Sequence, residues 1–155
     1  MRIVEVERDP WLAATRELLL EYAASLDFDL CFQDFDRELL ELPGAYAPPH
    51  GRLLLLLDDE HPAGCVALRP LDGAVCEMKR LYVRPGWRGR GLGRALAEEI
   101  VVRARQVGYR TMRLETVPST MGAATALYRE LGFREIAPYF RNAVPGALFF
   151  ERALD

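Results

Sequence analysis

Lysine is nearly missing from this chain: Lys79 is its only lysine, and arginine supplies the other basic residues. A compositional preference for arginine explains that more simply than function does. Neither charge is in large excess. The 20 basic and 23 acidic residues leave a net −3, which excludes the strongly basic profile of a nucleic-acid or membrane-surface binder. Cysteine is sparse. Cys31, Cys65 and Cys76 are odd in number, show no CxxC or Cys/His clustering, and read as reduced, buried thiols. His50 and His61 both lie in proline-containing, turn-like sequence, so no metal site and no histidine-based catalytic pair is expected. No apolar run approaches membrane-spanning length, and the start Met1-Arg2-Ile3-Val4-Glu5-Val6 lacks the apolar stretch of a signal peptide. A cytoplasmic protein without membrane or nucleic-acid partners is the expectation.

What is present is the composition of a globular domain: 155 residues, half of them apolar or aromatic and 28% charged. One domain over residues 1–155 is expected. Arg2 to Glu7 alternates as a half-buried strand. Asp9-Pro10 then starts a helix from Trp11 to about Ser25, and a shorter helix is predicted from Gln33 to about Leu42. Arg52 to Leu57 suits a strand buried on both faces. His61-Pro62 reads as a turn, Ala63 to Leu71 as a strand, Asp72-Gly73 as a hairpin turn and Ala74 to Val83 as a strand. A helix from about Gly91 to Val107 ends at Gly108. A strand from Arg110 to Val117, a helix from Met121 to Leu131 and extended segments around Phe133–Ile136 and Ala147–Leu154 complete the chain. The order β α α β β β α β α β β implies a mixed, mostly antiparallel sheet of six to seven strands flanked by helices.

The stretch Leu81 to Arg94 carries the chemistry. A strand ends, Pro85-Gly86 turns the chain, Gly89, Gly91 and Gly93 follow at spacing two, and a helix begins. Such a turn aims unpaired N–H groups at one point, at the positive end of a helix, and so can bind phosphate. Arg84, Arg88, Arg90 and Arg94, with Lys79 and Arg80 upstream, place six positive charges around it. A dinucleotide fingerprint fails on Arg94 and Leu96, and a P-loop fails because Leu92-Gly93 follows Gly91.

What remains, Arg88-x-x-Gly91-x-Gly93, resembles the signature of the GNAT (GCN5-related N-acetyltransferase) superfamily. The preceding strand Cys76–Val83 and the later Ala124-x-x-Leu127-Tyr128-x-x-x-Gly132-Phe133 extend the resemblance over about residues 75 to 135. It implies the GNAT fold, acetyl-CoA as co-substrate, and backbone amides of Arg88, Gly89, Arg90, Gly91, Leu92, Gly93 and Arg94 around the CoA pyrophosphate. It also implies that Leu81, Tyr82 and Val83, at a strand edge opened by a bulge, pair with the pantetheine arm. Family members often carry Asn where this chain has Met121; Ser119 or Thr120 is the possible substitute.

Acyl transfer to an amine needs a base, an oxyanion donor and a proton for the departing thiolate. The resemblance implies Glu77 as base, directly or through water, and Tyr128 as acid. A backbone N–H near Val83 is the expected oxyanion donor. The acidic, aromatic segment Leu26–Ala47, with Asp27, Asp29, Asp34, Asp36, Glu38 and Glu41, suits a cationic acceptor. Arg141, in Pro138–Gly146, suits a carboxylate. A small cationic or amino-acid-like amine is therefore expected as partner, with a protein or peptide amine, or a non-catalytic acyl-CoA sensor, as alternatives. The oligomeric state stays open, a homodimer included.

Overall fold

The computed structural model describes residues 1–26, 34–141 and 143–155, and of residues 119–123 the backbone alone. Among the described residues, the strands are β1 (Arg2–Glu5), β2 (Arg52–Asp58), β3 (His61–Asp72), β4 (Val75–Val83), β5 (Thr111–Thr116), β6 (Arg134–Ile136) and β7 (Leu148–Ala153). The helices are α1 (Trp11–Ser25), α2 (Phe35–Glu41), α3 (Leu92–Val107) and α4 (Pro118–Glu130). Type and order match the periodicities in the sequence. Local chemistry sets the ends. The Ala13 N–H donates to Asp9 Oδ1 at 3.0 Å at the start of α1. Gly108, with φ +110°, lets its own N–H and that of Tyr109 close the last turn of α3.

Two boundaries depart from the sequence reading. The chain reverses between β2 and β3 at Asp59-Glu60 rather than at His61-Pro62. Both turn residues are left-handed (φ 51° and 66°), which matches the twist of a two-residue hairpin, and Pro62 sits in the strand opposite Leu57, where the register shifts. Helix α4 starts at Pro118, not Met121, because a proline at the first helical position gives up no hydrogen bond.

The strands form one sheet in the order β1-β2-β3-β4-β5-β7-β6. Neighbours are antiparallel except β4 and β5. Alternation divides the core between the two faces. Leu54, Leu56, Val66, Leu68, Cys76 and Met78 pack under α3 with Leu96, Ile100 and Ala104. Leu53, Leu55, Leu57, Cys65 and Ala67 pack under α1 and α2 with Leu18, Leu19, Tyr22 and Phe35. The apolar run of β2 is thus buried from both sides, as parallel-like patterning in a central strand requires.

The functional geometry comes from two defects in this sheet. The parallel pairing of β4 with β5 runs only from Val75↔Thr111 to Glu77↔Arg113. Beyond it β4 continues to Val83, while β5 pairs with β7 alone, so a wedge opens between them. The second defect is a bulge. Cys65 faces Tyr82 and Ala67 faces Lys79, so β3 advances two residues while β4 advances three. Arg80 absorbs the excess in a left-handed conformation (φ 61°).

Candidate active site

Helix α1, the end of β4, the glycine-rich turn and α4 enclose a cavity of about 390 Å3. Its wall includes Leu81, Tyr82, Val83, Arg88, Gly89, Gly91, Leu92 and Gly93, together with Trp87, Tyr22, Leu127 and Tyr128. Of the residues predicted to hold a donor, Arg90 and Arg94 alone lie outside this lining. Arg90 sits 3.9 Å from Asp58, and Arg94 pairs with Glu98 and Glu130.

The turn is built for backbone display. Gly89 (φ +81°) and Gly91 (φ +76°) adopt conformations that an L side chain resists, and a Cβ at either would meet nothing within 4 Å. No backbone acceptor among the described residues takes the N–H groups of Gly89, Arg90 and Gly91, and the first turn of α3 leaves those of Leu92, Gly93 and Arg94 equally unpaired. The Trp87 indole N–H anchors the turn to β2 through Asp58 Oδ2 at 2.8 Å, and Arg88 Nε donates to the Val83 carbonyl at 2.9 Å. An anion with several acceptor oxygens, such as a pyrophosphate, fits this array.

The six-charge cluster expected around the turn does not form. The bulge turns Arg80 towards α1 and α2, where it is 5% exposed, paired through two nitrogens to Glu38 and stacked near the rings of Tyr22 and Phe35. Lys79 lines a different cavity. Arg84 is engaged by Glu21 at 2.6 Å and donates to the Pro62 carbonyl. What the turn presents is backbone N–H groups more than side-chain charge.

Tyr128 reaches the cavity from α4 with its ring edge-on to Phe133 and tilted against Phe150. Burial pushes its phenol well above the usual range, with Tyr22 adding to the effect, so it stays protonated. Among the described residues its hydroxyl has no hydrogen-bond partner. Such a group can give a proton to something that enters the cavity.

Glu77 does not line this cavity. It is 2% exposed at the root of the wedge. Its Oε1 accepts from Arg69 Nε at 2.7 Å and its Oε2 from the Tyr139 hydroxyl at 2.6 Å. No spacing in the sequence signals either partner of Glu77, or the nearby Glu115 on β5, whose carboxyl burial pushes up. The charge of Glu77, on the neighbouring strand, adds to that rise. Nothing short of the β4–β5 pairing could have revealed that.

The acidic wall predicted from Leu26–Ala47 is reduced. Glu38 is consumed by Arg80, Glu41 lies 3.5 Å from Arg37, and Asp34 and Asp36 are exposed. Asp27, Phe28, Asp29, Cys31 and Phe32 fall outside the described residues, as do the side chains of Ser119, Thr120 and Met121. Arg141 is exposed. Cys65 and Cys76 are buried, and burial pushes both thiols up to about 12. No helix among the described residues is long and apolar enough to cross a membrane, and no cluster of three metal-ligating side chains occurs among them.

Comparison with known proteins agrees with this geometry. The model of the Acetyltransferase (GNAT) family matches residues 12–133. An uncharacterised N-acetyltransferase of Schizosaccharomyces pombe is 42% identical over 134 residues, covering 85% of this chain and 82% of the relative. A GNAT-family acetyltransferase of Staphylococcus aureus Mu50 superposes with a TM-score of 0.80 at 22% identity, covering 99% of both chains. An aminoglycoside 6'-N-acetyltransferase complexed with coenzyme A superposes with a TM-score of 0.74 at 16% identity, over all of this chain and 98% of the other.

Proposed function

Since this chain belongs to the GNAT family of acetyltransferases and is an acyltransferase by that membership, we propose that it transfers an acetyl group from acetyl-CoA to a primary amine by direct attack. One GNAT domain spanning residues 1–155 carries the reaction. The observation that bears most weight is the continuity of one cavity. It is lined by the turn residues Gly89, Gly91, Leu92 and Gly93, and also by Tyr128, whose protonated hydroxyl has no hydrogen-bond partner among the described residues. The coenzyme-bound relative of the same fold supports a CoA donor.

The thioester supplies an activated acetyl group, and the chain's residues do the rest. Amides of the turn hold the pyrophosphate, with Arg88 beside them. The edge of β4 from Leu81 to Val83, left without a β5 partner, aligns the donor arm in the wedge. A backbone N–H near Val83 stabilises the oxyanion. Glu77 is the base, acting on the amine directly or through water, and Arg69 and Tyr139 hold it in place. Tyr128 then protonates the departing thiolate.

The test is thiol release from acetyl-CoA across a panel of primary amines, with Tyr128→Phe beside the wild type. The variant should lose about a hundredfold in kcat while its acetyl-CoA affinity stays the same. Full turnover by Tyr128→Phe would remove the acid role. Tight acetyl-CoA binding with no thiol released on any amine would leave an acyl-CoA-binding module, and no binding in calorimetry would overturn the donor reading.

A further inference from the structure

A second cavity, of about 240 Å3, opens between α2, β3 and β4. Exposed Asp34, Arg37 and Glu41 form its rim, and half-buried Lys79 and Arg69, with buried Tyr46, form its interior. It adjoins the root of the wedge through Arg69, which lines the cavity and also holds Glu77 at 2.7 Å. Two of the neighbouring acids are already committed, while Glu115 on β5 also feels the charge of Lys79. Glu77 is taken by Arg69 and Tyr139, and Glu38, which also lines the cavity, is taken by Arg80. Lys79 has no hydrogen bond or ion pair among the described residues. Burial, helped by the nearby positive charges of Arg80 and Arg69 against Glu77 and Glu38, lowers its ammonium to about 8. An ammonium left in this state gains from any anion that reaches it.

We propose that Lys79 binds a carboxylate of the acceptor, so that the acceptor is an amino acid or a similar amine bearing a carboxylate a few bonds away. This rests on the reading of Glu77 as the base. Glu77 and Lys79 stand two residues apart on the same face of β4, with Cα atoms roughly 7 Å apart by strand geometry. A molecule with its amine at Glu77 and its carboxylate at Lys79 therefore lies along β4. The acids at the rim discourage anions that carry no amine.

The experiment measures equilibrium binding of the common amino acids and their carboxamides to the CoA-loaded protein, for wild type, Lys79→Gln and Lys79→Arg. For at least one pair the acid should bind wild type about tenfold more tightly than the amide. Lys79→Gln should erase that preference without weakening the amide, and Lys79→Arg should restore part of it. No preference for any acid over its amide, or a preference that survives Lys79→Gln, overturns the proposal. Thiol release on the same panel separates the two claims. Lys79-dependent binding without transfer sinks the catalytic reading alone, and transfer with indifference to the carboxylate sinks this one alone.

Discussion

The Tyr139 hydroxyl donates to Glu77 Oε2 across 2.6 Å, joining the segment before β7 to the root of the wedge. Tyr139 itself is clamped, with Phe149 and Phe140 edge-on to its ring and the Arg113 guanidinium 5.3 Å from the ring centroid. The segment expected to shape the acceptor site thus orients the candidate base as well. Tyr139→Phe should lower kcat about tenfold through loss of a hydrogen bond to a charged group, with the KM for acetyl-CoA unmoved. Steady-state kinetics with both substrates varied will show it.

The glycines of the turn separate by conformation. Gly91 is left-handed at the start of α3, so Gly91→Ala should cost about 1 kcal/mol of stability and weaken acetyl-CoA binding. Gly93 lies inside the helix, and a Cβ there would come no nearer than 3.9 Å to Val83 Cγ2. Gly93→Ala should therefore stabilise by about 0.5–1 kcal/mol and leave the donor site usable. Thermal denaturation and calorimetric titration of the two variants test the contrast.

Arg80 and Glu38 tie the bulge of β4 to α2 through a buried, two-nitrogen pair. Glu38→Gln leaves a guanidinium buried without its counter-charge, which should destabilise by about 3 kcal/mol in urea denaturation. Burial works to raise the Glu38 carboxyl, but hydrogen bonds and charge from Arg80 hold it below the usual carboxylate range. The sign follows from that depression. The pair's contribution is present above about pH 4.3 and is lost as pH falls through the lower folded value. Glu38→Gln should lack this acid-side loss.

Lys79 gives a slope of the same sign at a higher pH, as a cost of burying charge that is relieved when the proton leaves. Its folded value of about 8 lies below that of an exposed lysine. The unfolded chain therefore binds the extra proton between the two values, and stability rises with pH across that window. Lys79→Met should raise the Tm by a few degrees at pH 7 and gain little near pH 10. A melting series in pH measures both.

Much of this molecule is written locally. Period-two alternation marks β1 and β5, an unbroken apolar run marks β2, 3.6-residue stripes mark α1 and α3, and Gly108 and the Gly89–Gly93 turn are legible because left-handed backbone and unpaired amides are properties of short stretches. Family resemblance over residues 75 to 135 rests on that same contiguous text. The left-handed backbone of the turn follows from its glycines, but the ring of charge around it does not form, because one extra residue at Arg80 changes which face each following side chain takes.

Tertiary structure alone decided the rest. Tyr139 meets Glu77 across 62 residues, Arg80 meets Glu38 across 42, and the wedge exists because β5 leaves β4 after Glu77 to pair with β7. These contacts depend on strand order and register, which no short window encodes. Burial then does what spacing cannot: it lifts the Tyr128 phenol, lowers the Lys79 ammonium and leaves that one lysine facing a cavity, because a charge removed from water answers to every group packed around it.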